Sequence, residues 1–332
     1  MTKNTRTITT IALLLGLLLL VAAGCGRDDA DESGDTTTAT AGGGSELSGR
    51  IEADGSSTVG PFTTAAAERF QREHGGVQVT VGISGTGGGF ERFCAGETDL
   101  SNASRPIKDE EKEICEQNGV DFVELHAVND GLAVVIHPDN DWASCLTVAE
   151  LNTIWRPEAE GEIQNWNQVR DGFPDERLLL AGAGTDSGTF DYFTEEINGD
   201  TGVIRTDFQA SEDDNVTVQA VSGSRGGMGF FGLSYVEENA GKIKAIEVDG
   251  GDGCVAPSAE TVQDGTYKPL GRPLFLYAKN ESFVRPEVQA FMSYILDNNA
   301  EISEAALFVP LTEEQLEAAR ASLDEAIEEV AG

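Results

Sequence analysis

An α/β fold, a sheet covered by helices, is what the sequence predicts, and three observations predict it. Apolar residues alternate strictly at Val77, Val79, Val81 and Ile83, the period of a half-buried strand. Just before them, Pro61 to His74 carries Phe62, Ala65, Ala66 and Phe70 at helical spacing and stops at Gly75-Gly76. Strand-like and helix-like segments then alternate along the chain, the rhythm of an open sheet with helices packed on it.

The chain begins with what reads as an address. Lys3 and Arg6 precede an apolar run from Ile11 to Ala23 that ends in small residues, the layout of a secretory signal peptide over residues 1–24. The run falls short of the roughly 20 apolar residues a spanning helix needs. Its junction, Ala22-Ala23-Gly24-Cys25, resembles a bacterial lipobox, which implies lipidation of Cys25 and a membrane anchor through it. An ordinary signal peptide with a chance cysteine is the alternative. Residues 25–47 are rich in Asp, Ser, Thr and Gly, with Leu47 the single large apolar residue, and are expected to form a flexible linker.

Beyond the linker, further helices are expected near 109–117, 147–154, 188–198, 213–221, 286–297 and 313–329. Strands are expected at 132–137, 177–181, 228–232, 243–248 and 273–278. The last helix places Leu316, Ala319 and Leu323 on one face and glutamates on the other, so it should dock by that face. Trp142, Trp155 and Trp166 are read as core aromatics, and His137 as a structural residue ending a strand.

Composition narrows the function. With 332 residues the chain is long enough for about two domains. Its 58 acidic against 22 basic residues, a net charge of −36, argue against a nucleic-acid partner, because phosphate-backbone contacts need clustered Lys and Arg. Four cysteines remain beside Cys25: Cys94, Cys115, Cys145 and Cys254. In an exported domain they should pair. Three connectivities are possible; Cys94 with Cys115 and Cys145 with Cys254 is the favoured one. No metal-ligand spacing is present, and with three histidines a zinc site is not expected.

Where a strand gives way to a helix, the unpaired N–H groups of the helix start attract anions. Four loops stand at such junctions: Asp54 to Pro61 and Gly82 to Gly89, both Gly- and hydroxyl-rich, Ser101 to Pro106, which brings a guanidinium, and Gly184 to Phe190. Any one of them alone reads as a surface turn; four together point to an anion site. Neither a P-loop nor a complete dinucleotide fingerprint is present, so no nucleotide is indicated.

Gly55-Ser56-Ser57-Thr58, Gly82-Ile83-Ser84-Gly85-Thr86-Gly87, Ala103-Ser104-Arg105 and Asp186-Ser187-Gly188-Thr189-Phe190, in this order, resemble the phosphate-binding lipoproteins of phosphate ABC transporters, the PstS family of type II periplasmic binding proteins. Ser211 to Val216 and Gly229-Phe230-Phe231-Gly232 look like its cyanobacterial and actinobacterial branch. The resemblance implies a two-lobed α/β fold with a two-segment hinge, lobe 1 at 48–130 plus 268–332 and lobe 2 at 131–267. It implies a lipid-anchored monomer on the extracytoplasmic face of the membrane, handing inorganic phosphate to permease subunits, with no cofactor and no chemistry on the ligand. Carried over by position, Ser57, Thr58, Ser84, Gly85 and Thr86 would hold phosphate from one lobe and Ser187, Gly188 and Thr189 from the other. Where some relatives have an Asp and an Arg, this chain has Arg105 and Gly184, so Arg105 is expected to supply the positive charge. Asp186 is the first candidate for the carboxylate that receives the proton of hydrogen phosphate; Asp54, Asp130 and Asp214 follow it.

Two other readings come from different classes. A hydrolase would use Ser187 or Ser84 as nucleophile, but neither lies in G-x-S-x-G or near a histidine in sequence. A non-transport surface lipoprotein would account for the anchor and linker but not for four anion-type loops.

Overall fold

Twelve strands and eleven α-helices carry the chain in the computed structural model, which describes residues 47–185 and 187–331. The expected signal peptide, Cys25 and nearly all of the expected linker lie outside the described residues.

The first strands and helices are β1 (Ser48–Gly55), α1 (Gly60–Glu73), β2 (Gly76–Val81), α2 (Gly85–Cys94), β3 (Leu100–Ala103), α3 (Asp109–Asn118) and β4 (Phe122–Ile136). There follow β5 (Cys145–Thr147), α4 (Val148–Trp155), β6 (Leu179–Ala183), α5 (Gly188–Asn198), β7 (Gln209–Ser211), α6 (Asp214–Ser222) and β8 (Gly227–Gly232). The rest are α7 (Ser234–Glu238), β9 (Lys244–Ala245), β10 (Glu247–Asp249), β11 (Cys254–Val255), α8 (Ala259–Gln263), β12 (Gly271–Lys279), α9 (Pro286–Asp297), α10 (Asn299–Ala305) and α11 (Glu313–Ala331).

One large sheet runs in the order β2-β1-β3-β12-β4-β8-β6-β7, with β9 also on β4. The β2-β1-β3 and β8-β6-β7 sets are parallel, whereas β12 and β4 pair antiparallel between them. Strand β4 gives its first part to β12 and its second, Leu132 to Ile136, to β8. One strand therefore belongs to both halves of the sheet. The core divides along the same line. One cluster is drawn from residues between Leu132 and Leu270, with Val309; a second is drawn from Ile51 to Val128 and from Leu274 to Ala326.

Several helices are delimited by ordinary local chemistry. Ser187 Oγ accepts from Thr189 N (3.2 Å) at the start of α5, and Gly199, with φ of 88°, ends it. Thr147 and Glu150 close a capping box at α4. α11 docks by Ala319, Leu323 and Ala326, as its apolar face predicts. Trp155 and Trp166 are fully buried in the first cluster, and Trp142 packs against it.

The structure departs from the sequence reading at several strands, the one expected at 243–248 being split into β9 and β10. β1 was not expected: only Ile51, Ala53, Asp54 and Gly55 of its eight residues are buried, so its apolar alternation is too short to register. The strand expected at 132–137 is the second part of a strand that begins at Phe122. The alternating strand stops at Val81, and Ile83 stands 58% exposed in the loop beyond it. Disulfides join Cys94 to Cys115 and Cys145 to Cys254.

Candidate functional site

The first loop is shaped by a glycine and a buried serine. Gly55, with φ of 137°, passes so close to β3 that a Cβ there would sit 2.2 Å from Asn102 O. Ser56 Oγ then accepts from Thr58 N (3.2 Å) and Val59 N (3.4 Å), holding the turn into α1. Asp54 is consumed locally: it is buried, accepts from Gly55 N (2.7 Å) and pairs with Arg92.

The second loop reaches the first through Ser84 N, which donates to Gly55 O (3.1 Å). It reaches the third through Thr86 Oγ1, which is 2.9 Å from Ser104 Oγ and accepts from Ser104 N (3.2 Å). In the third loop both Nη atoms of Arg105 donate to Glu111, at 2.8 Å each, and Nη1 also donates to Pro106 O (3.1 Å). Those bonds raise the Arg105 guanidinium. Burial pushes the Glu111 carboxyl up, but the donors from Arg105 and Lys108 outweigh it and leave it lowered.

These loops open onto a cleft of about 430 Å³, lined among others by Ser57, Thr58, Gly85, Thr86, Arg105 and Arg272. A smaller pocket of about 170 Å³ adjoins it and is lined by Ser187, Gly188, Thr189, Asp130 and Asp214. Ser57 and Thr58 line both. The first loop is thus the shared wall on which the second and fourth loops converge. Gly188 makes that approach possible, because a Cβ there would lie 2.8 Å from both Cα and Oγ1 of Thr58. Ser57 Oγ also donates to Asp191 Oδ2 (3.2 Å) on α5.

Of the residues singled out from sequence, Ser57, Thr58, Gly85, Thr86, Arg105, Ser187, Gly188 and Thr189 line one or both cavities. Ser84 lines neither; it stands exposed before α2 and its side chain caps nothing. Asp186 lies outside the described residues. Sequence reasoning missed Arg272 and the α5 residues Asp191, Tyr192, Glu195 and Glu196, all lining the larger cleft. Arg272 had no local signal: it opens a strand that looks like any other. The α5 residues were legible only as a helix, without the face that meets the cleft.

The carboxylates here are not alike. Burial pushes Asp130 up, partly offset by Arg272. Burial also raises Glu196, opposed by Arg272 and reinforced by Glu195. Asp214 is pushed up to about 6, by burial and then by Asp213 and Glu212. Since its folded-state value lies above the unfolded one, the ionised form costs stability above pH 6, and that cost disappears as pH falls below about 4. Asp214→Asn should therefore raise stability by about 1 kcal/mol at pH 8 and leave it unchanged at pH 4. Urea melts at the two pH values check this, and equal gains at both would refute it.

Among the described residues, the one group of three potential metal ligands close together is Cys145, Glu247 and Cys254, and its two cysteines form a disulfide. Neither Ser187 nor Ser84 hydrogen-bonds a histidine among the described residues, as a nucleophile of a hydrolase would. No helix among them is long and apolar enough to cross a membrane.

The chain is similar to known proteins in sequence and in fold. The model of the PBP superfamily domain matches residues 32–299. Protein SphX of Synechococcus elongatus is 48% identical over 262 residues, 79% of this chain and 77% of that one. The phosphate-binding protein PstS of Staphylococcus saprophyticus is 37% identical over 282 residues, 84% of this chain and 86% of its own. Among solved structures, a possible phosphate-binding protein from Planctomyces limnophilus superposes with a TM-score of 0.81 at 44% identity, covering 85% of this chain and 99% of the other. With its two-part α/β sheet, its divided core and four loops gathered around two adjoining cavities, the chain belongs to the PstS-like phosphate-binding proteins of the PBP superfamily.

Proposed function

We propose that this protein is an extracytoplasmic receptor that captures one inorganic phosphate between two lobes and delivers it to the permease subunits of an ABC transporter. It is anchored through a lipid on Cys25 and leaves its ligand chemically unchanged. The observation that carries the reading is the shared wall: Ser57 and Thr58 face the second loop on one side and the start of α5 on the other. A tetrahedral anion placed against that wall meets hydroxyls, main-chain N–H groups at three helix starts and guanidinium groups, the donor set such an anion requires.

Lobe 1 is taken as 48–130 plus 268–332 and lobe 2 as 131–267. The change of core cluster near Asp130 and again near Gly271 supports that division. The phosphate contacts are taken as Ser57, Thr58, Ser84, Gly85, Thr86, Arg105, Asp186, Ser187, Gly188 and Thr189; of these Ser84 has the least support, its N–H being given to Gly55 O. Binding calorimetry on the chain lacking residues 1–25 tests the function. Phosphate should bind and sulfate should not, because a carboxylate that accepts the phosphate proton repels an anion without one. Equal affinity for both anions, or no heat with phosphate, would refute it.

The charge of −36 sets a kinetic expectation. Within the cleft nearby dipoles dominate, but the whole acidic surface repels an approaching anion when screening is weak, the Debye length being about 30 Å at 0.01 M and about 8 Å at 0.15 M salt. Stopped-flow association with phosphate should accelerate over that range. A rate that falls with added salt would contradict the expectation.

A further inference from the structure

Two guanidiniums face the larger cleft, and they are differently engaged. The fork of Arg105 is taken by both oxygens of Glu111 at 2.8 Å, which leaves it little to offer a second oxyanion. Arg272 keeps more in reserve. Its Nε lies 3.4 Å and its Nη2 3.5 Å from Asp130 Oδ2, and Nη2 lies 3.3 Å from Thr58 Oγ1. Those are long contacts, and Nη1 has no hydrogen-bond partner among the described residues. The group is nevertheless well shielded, its side chain being 13% exposed and that of Asp130 8%. A shielded donor with weak or absent partners is costly, and an arriving oxyanion relieves that cost.

The placement of Arg272 is held from three directions. On the ladder between β12 and β4 it stands directly opposite Asp130, where the core passes from one cluster to the other. Its Cζ lies 3.4 Å from the centre of the Tyr192 ring, so the flat face of the guanidinium is used for stacking and its N–H edges stay available. Tyr192 is itself pinned, its hydroxyl donating to Pro269 O at 2.6 Å. The third direction is Thr58, the residue shared by the two cavities.

Resting on the phosphate reading above, we infer that Arg272, oriented by Asp130 and by the face of Tyr192, is the principal cationic ligand of the bound oxyanion, ahead of Arg105. Tyr192 is a positioning residue. Because Arg272 touches β4, the first loop and α5 at once, an anion that engages it is held by a group joined to both halves of the molecule.

Phosphate calorimetry on the wild type, Arg272→Gln, Arg105→Gln, Tyr192→Phe and Tyr192→Leu tests this. Arg272→Gln should weaken binding about 30-fold or more, and Arg105→Gln about fivefold. Tyr192→Phe keeps the ring and should stay within about threefold of wild type, whereas Tyr192→Leu should lose about tenfold. That rescue separates the aromatic face from the hydroxyl bond to Pro269. Arg272→Gln strands a shielded Asp130 and risks unfolding, so the paired change Arg272→Gln with Asp130→Asn is measured beside it and should lose as much affinity while melting normally. Wild-type protein that ignores phosphate overturns the function and this inference with it. Wild-type protein that binds phosphate, with the folded paired variant within about threefold of it or with Arg105→Gln the more damaging single change, overturns the inference alone.

Discussion

Gly188→Val is expected to weaken phosphate binding on the order of 1000-fold while leaving the protein folded. A Cβ at this position would lie 2.8 Å from Thr58 Cα and Oγ1 and 3.1 Å from Thr58 N, so the three nearest atoms all belong to the opposing loop. No real side chain tolerates such contacts with backbone, and the two loops must separate. On the proposed reading, the hydroxyls of Ser187 and Thr189 then no longer reach an anion set against Ser57 and Thr58. Two hydrogen bonds to a charged ligand, at about 1.5–3 kcal/mol each, account for a loss of that size. Since the clash lies between loops rather than within either core cluster, the thermal midpoint should barely move. Calorimetry and a melting curve on the same sample decide the matter, and binding within about tenfold of wild type would show that the approach of Gly188 to Thr58 is not needed for capture.

Removing the disulfide Cys145–Cys254 is expected to cost about 4–5 kcal/mol, more than the roughly 3 kcal/mol expected for Cys94–Cys115. The difference comes from the chain enclosed, 109 residues in one case and 21 in the other. A cross-link over a long loop withholds more conformations from the unfolded chain. Local structure points the same way. Cys145 and Cys254 open β5 and β11, the outer strands of a three-stranded sheet whose members have three, three and two residues. Cys94 and Cys115 instead sit in a buried cluster with Phe90, Phe93 and Tyr277, which continues to hold α2 against α3. Urea unfolding of the two double Cys→Ala variants checks the ranking, and equal losses would show that loop length is not the controlling factor.

Much of the fold could be read directly. The helices at 188–198 and 286–297 were delimited to the residue, because Ser187, Gly199 and Pro286 mark their ends by local chemistry. The four loops were legible too, since hydroxyls, and in three of them glycines, at strand-to-helix junctions carry their own signal. Less of the site was. Thr86 and Arg105 could be named, but not the bonds from Arg105 to Glu111 that occupy its fork. Nor could Arg272 be found: its importance comes from standing opposite Asp130 across a ladder and over the ring of Tyr192, residues far from it in the chain.

By itself, then, the sequence determined the alternation of strands and helices, the anion-type loops, an acidic surface and the four cysteines that pair. All of these follow from periodicity, local capping or composition, which need only neighbouring residues. Tertiary structure alone decided that one strand, β4, serves both halves of the sheet, that Ser57 and Thr58 form a wall between two cavities, and which guanidinium keeps donors to spare. Those properties depend on contacts between residues widely separated along the chain, and no local pattern of side chains encodes such a meeting.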